Sequence, residues 1–129
     1  MFIALAIVGL LTALAVVPVN TTPLPADPHP AVDYARAVAM YDSLSDTERD
    51  IVMPDAGSFM LVHGHRTPRV VVLVHGMTNS PRQFRELGEA FYERGYNVVA
   101  PLMPEHGYKE ADVSALRRLT AEKYREALR

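Results

Sequence analysis

The chemistry open to this chain turns on two copies of one tetrapeptide. Leu61-Val62-His63-Gly64 and Leu73-Val74-His75-Gly76 share all four letters but not their flanks. The first copy runs into His65-Arg66-Thr67-Pro68, the second into Met77-Thr78-Asn79-Ser80-Pro81. A histidine can serve as base, metal ligand or polar brace. His63 and His65 alternate at a turn, a poor metal cage without carboxylates or more histidines at fixed spacing. No metal and no cofactor are therefore expected. His106 stands apart in Pro104-Glu105-His106-Gly107. With no cysteine, the chain has no disulfide, zinc–thiolate centre or cysteine nucleophile. Glu105, Glu110 and Asp112 form no strong paired-carboxylate constellation.

The elements that would carry these residues follow from periodicity and breakers. Residues 31–44 place Val32, Ala35, Val38 and Ala39 on one helical side, with Pro30 suited to the first turn. Asp46, Glu48, Arg49 and Asp50 read as a solvated connector. Ser58 to His63 reads as a strand, residues 64–68 as a hairpin turn, and Arg69 to His75 as a second strand. Val70 to Val74 has no polar alternation, the pattern of a strand buried on both faces of a parallel sheet. Asn79 or Ser80 can cap a helix with Pro81 at its first position. Phe84, Leu87, Gly88 and Phe91 then share a packing face. Gly95 supplies a left-handed stop, and Tyr96 to Ala100 is the next strand. The result is a βαβ unit followed by a long loop over 101–116, where α/β proteins build sites. Thr120 caps a final helix, AEKYREALR, and the chain reads as interrupted inside it.

The run RVVVLVHGMTNSPRQFRELGEAFYERGYNVVAPLMPEHG carries a specific resemblance. LVHGHRTPR before it and LTAEKYREAL after it support the likeness. Together they resemble the N-terminal part of the α/β-hydrolase superfamily, in its serine-aminopeptidase-like and carboxylesterase or monoacylglycerol-lipase-like branch. The resemblance implies an α/β fold with a mostly parallel sheet flanked by helices. It implies acyl transfer by a Ser-His-Asp triad, with the backbone N–H of Met77 as one oxyanion donor. Gly76 would let the backbone turn close to a substrate, and His75 would brace the loop rather than act as base. Thr78 would support the loop. His106 would either shape the pocket edge or be an exposed loop histidine. Glu105 departs from the commoner Gly-His-Gly form of that loop. The nucleophile elbow G-x-S-x-G is missing: serines stand at 43, 45, 58, 80 and 114, none with glycine at both −2 and +2. Acid and base would follow it, so nucleophile, acid and base are all expected beyond Arg129. A non-catalytic, membrane-tethered remnant or binding module is the rival reading.

The whole chain bounds the rest. Its 129 residues hold one small domain at most. Met1 to Val19 has Thr12 as its only polar side chain. An apolar helix of about 18 residues spans ~27 Å, close to the ~30 Å hydrocarbon core. It reads as a single-pass membrane anchor, with a cleaved signal segment as the competitor, since Ala13-Leu14-Ala15 has a small-x-small form. The domain would then be extracytoplasmic, or secreted or periplasmic after cleavage. Residues 20–30, rich in proline, form an extended linker. Residues 31–129 form an incomplete hydrolase domain. A net charge of −2 offers no basic field for nucleic acid. The expected partners are a membrane, through residues 1–19, and a small acyl substrate.

Overall fold

The computed structural model describes residue 7, residues 28–110 and residues 114–127. The anchor read at 1–19 lies outside the described residues except at Ile7. Among the described residues, no helix is long and apolar enough to cross a membrane. Among the residues described from 28 onward, the architecture is α/β, with a three-stranded sheet and three α-helices.

Helix α1 spans Tyr34–Arg49. It starts later than Pro30 because Asp33 caps it: the Asp33 carboxylate accepts from the Arg36 amide at 2.7 Å. It also continues through Asp46, Glu48 and Arg49, which were expected in a connector. Glu48 is not simply solvated. Its carboxylate accepts from the Ser58 amide at 2.7 Å and the Ser58 hydroxyl at 2.6 Å. The same hydroxyl accepts from the Leu102 amide at 2.8 Å. One serine thus ties α1 to the start of the first strand and to the loop after the last. The sequence places Ser58 at the start of a strand but does not show this tie.

The strands are β1 (Phe59–Leu61), β2 (Val70–Val72) and β3 (Asn97–Ala100), in the order β1-β3-β2. β1 runs antiparallel to β3 and β2 parallel to it, so the sheet is mixed rather than mostly parallel. LVHGHRTPR is therefore not a hairpin, because β3 lies between its two strands. Buried Asn97 explains the split. Its side chain accepts from the His63 amide at 3.0 Å and donates to the His65 carbonyl at 2.9 Å. Its own amide donates to Thr67 Oγ1 at 3.3 Å. The turn is stitched to the start of β3, which holds β1 and β2 one strand apart.

The β2–β3 connection is a 3₁₀ turn, Pro81–Phe84, followed by α2, Arg85–Tyr92. Gly95 closes it at φ 85°, a conformation that favours glycine. Gly88 brings α2 close to the sheet: a β-carbon there would meet Phe59 at 3.0 Å. Phe84 and Phe91 pack on the cluster of Phe59, Val98 and Ala100, but Leu87 is exposed. α3, Ala121–Ala127, follows Thr120, whose hydroxyl accepts from the Lys123 amide at 3.3 Å.

β2 departs from the expectation of burial on both faces. Val71 and Leu73 pack against the cluster, while Val70, Val72 and Val74 are 59%, 55% and 49% exposed. β2 is an edge strand among the described residues, and α2 covers only one face of the sheet. A continuous apolar run here coexists with alternating burial, leaving an apolar edge of the kind that favours association.

Candidate active site

Two loops leave the C-terminal ends of the parallel neighbours β2 and β3, the place where α/β sheets bind ligands. The first carries His75, Gly76, Met77 and Thr78. The second carries Pro104, Glu105, His106 and Gly107. The structure brings these loops together: His106 Nε2 lies 2.7 Å from the Met77 carbonyl oxygen. The His75 and His106 rings meet edge to face, with centroids 5.0 Å apart.

His75 is buried, and both its ring nitrogens are engaged. Nε2 accepts from the Met103 amide at 3.0 Å, which places the proton on Nδ1, and Nδ1 donates to the Gly76 carbonyl at 2.8 Å. Burial lowers its pKa, the Gly76 bond opposes that, and His106 adds to the lowering. A neutral ring committed at both nitrogens is a brace. Action as a base would cost it the Met103 bond.

The Gly76 carbonyl also accepts from the Asn79 amide at 3.2 Å, closing the turn around Met77 and Thr78. Neither the Met77 nor the Thr78 amide donates a hydrogen bond among the described residues. Gly76 has no positive φ, and a β-carbon there would meet nothing within 4 Å. The backbone itself therefore does not demand glycine at 76; close approach of another molecule would.

His106 is buried, which overturns the reading of an exposed loop histidine. Its Nδ1 lies 2.8 Å from the Pro104 carbonyl oxygen. The departure at Glu105 has a backbone meaning. Glu105 sits at φ 64°, a left-handed conformation that costs a non-glycine residue ~1–2 kcal/mol. Ion pairs offset that cost: Arg118 Nε lies 3.1 Å and Lys123 Nζ 2.5 Å from its carboxylate. The Lys123 bond above all holds this carboxyl below the usual carboxylate range; burial pushes the other way and Arg118 adds to the lowering. Glu105 thus fastens the loop to the segment carrying α3, which the sequence alone did not show.

Beside the loops is a groove of about 450 Å³, lined by Met53, Ala56, Met77, His106, Ala115 and Leu116 among others. Its lining is mainly apolar and includes both Met77 and Thr78. His63 and His65 lie elsewhere, on the turn stitched to Asn97. His63 stacks on Tyr92 with centroids 4.2 Å apart and donates from Nε2 to the Tyr92 carbonyl at 3.1 Å. It is a packing residue rather than an incidental one.

Fold and site together describe an α/β unit with a braced strand-to-helix loop over an apolar groove. The chain is 36% identical over 67 residues to the thermostable monoacylglycerol lipase of Bacillus sp. (strain H-257). That match covers 52% of this chain and 26% of the lipase, so the chain spans about a quarter of its relative's length. The likeness loosely suggests the α/β-hydrolase superfamily and a hydrolase-like segment. No protein-family model matches the chain.

Proposed function

We propose that this chain is the N-terminal portion of a serine hydrolase acting on carboxylic esters or related acyl substrates. Met77 supplies one oxyanion-hole N–H. The observation that carries this reading is the pair of amides, Met77 and Thr78, without a partner among the described residues, on a loop whose carbonyls are held by buried histidines beside an apolar groove. Acyl transfer to water passes through a tetrahedral oxyanion, and preorganised N–H donors at such a site are worth ~10²–10³ in rate each. The likeness to a monoacylglycerol lipase supports the same class. Nucleophile, acid and base would come from residues beyond Arg129, with the nucleophile on a strand that completes the open side of β2. Residues 1–19 would anchor the domain to a membrane by their apolar length.

The test is covalent labelling of the native protein by a fluorophosphonate, together with the coding sequence beyond Arg129. A strand ending in G-x-S-x-G and a labelled serine within it are expected. A stop codon at that point, or a folded full-length protein that does not label, would favour the non-catalytic tethered module instead.

A further inference from the structure

His106 lies between two acceptors. Nδ1 is 2.8 Å from the Pro104 carbonyl oxygen and Nε2 is 2.7 Å from the Met77 carbonyl oxygen. A carbonyl oxygen only accepts, and a neutral imidazole has a single N–H. The neutral ring can satisfy one carbonyl and must turn a lone pair toward the other. A ring protonated at both nitrogens donates to both. Pro104 belongs to the same loop as His106, whereas Met77 belongs to the other. The proton on Nε2 is therefore the one that joins the two loops.

A trans peptide directs its C=O and N–H to opposite sides. The Gly76 and Met77 carbonyls are held by the two histidine rings. The amides of the same peptide units, those of Met77 and Thr78, consequently point away from the rings. Donation to a carbonyl also polarises its peptide and strengthens the N–H at the other end.

We propose that His106 is a positioning residue for the Met77–Thr78 loop and that its second ring proton is the latch. The doubly protonated ring fixes the Met77 carbonyl to the loop after β3 and aims the Thr78 N–H outward. A singly protonated ring that keeps its proton on Nδ1, toward Pro104 of its own loop, leaves the Met77 carbonyl unheld. The titratable groups facing it are few. His75 presents a neutral ring at 5.0 Å, so it accommodates a charged neighbour. Glu105 turns its carboxylate to Arg118 and Lys123, and the Tyr108 hydroxyl accepts from the Glu105 amide at 3.4 Å. The latch rests on geometry alone; its consequence for catalysis rests on the hydrolase reading.

Two measurements on the complete native protein separate these. In a nitrogen-15 NMR titration, the Met77 and Thr78 amide resonances are expected to move with the midpoint of the His106 ring. In His106→Gln that movement disappears, and any residual shift follows His75. Amides that ignore the His106 midpoint overturn the latch, and the wild-type titration decides this even if the variant does not fold. In the second measurement, His106→Gln is expected to slow fluorophosphonate labelling ~10–100-fold, as misplacement of a donor does. It should also abolish any fall in labelling that tracks His106 deprotonation. Equal labelling rates and pH profiles in variant and wild type would overturn the positioning role. Coupled amides in a protein that never labels would support the latch and sink the hydrolase reading.

Discussion

The two Leu-Val-His-Gly copies share four side chains and almost nothing else. At 61–64 the histidine lies half-buried against Tyr92, and its amide is held by Asn97. At 73–76 the histidine is buried and serves main-chain groups at both nitrogens. Gly64 has φ 77°, whereas Gly76 needs no special conformation. Each histidine takes its role from the segment that follows it. His65-Arg66-Thr67 turns back along β3, while Met77-Thr78-Asn79 opens onto a helix and leaves two amides without a partner among the described residues. Local sequence identity therefore predicts side-chain chemistry but not employment.

The contrast can be broken most strongly at the histidines. His75→Ala leaves the Met103 amide and the Gly76 carbonyl short of a partner and should cost ~3 kcal/mol in a denaturant titration. His63→Ala loses one stack and one hydrogen bond and should cost ~1 kcal/mol. Equal losses would erase the distinction. The glycines invert the order. Gly64→Ala forces a side chain into left-handed backbone and should cost ~1–2 kcal/mol. Gly76→Ala should stay within ~0.5 kcal/mol while slowing fluorophosphonate labelling, since no described neighbour lies within 4 Å of the new methyl group and a bound molecule would meet it. The smallest effect is on slope with pH. His75 has a lowered pKa in the folded protein, so the unfolded chain binds more protons between that value and the ordinary ~6.5. The stability it contributes is complete above ~6.5 and is lost as pH falls toward the folded value. His75→Gln should flatten that acid-side decline.

Much of the frame was legible. The βαβ unit, the left-handed stop at Gly95 and the Thr120 cap follow from local chemistry that tertiary contacts do not override. Three readings failed where the deciding contact was distant in sequence. Glu48 looked solvated because Ser58 was not yet its neighbour. The 61–69 segment looked like a hairpin because nothing local says that Asn97 inserts beside it. Val70–Val74 looked buried on both faces because an unbroken apolar run does not reveal which face stays uncovered; the open edge itself follows from the missing nucleophile strand. For the site, only resemblance directs attention to the Met77 loop, and its role there is a proposal. The latch at His106 was not, since it needs two loops in register. A histidine beside a non-glycine residue in a Gly-His-Gly-like position was the available signal.

The strand order also carries a kinetic consequence. β3 is the central strand, and Val98 pairs with both Leu61 and Val71, far earlier in the chain. No strand ladder of the described sheet can close until its last strand has been made. The loop-closure cost of these non-local pairings precedes their reward, which slows folding. During synthesis, β1 and β2 must therefore wait unpaired, with the apolar run at 70–74 open to chaperones and to other chains. The helix between β2 and β3 can form meanwhile, but its packing surface arrives only with Val98 and Ala100.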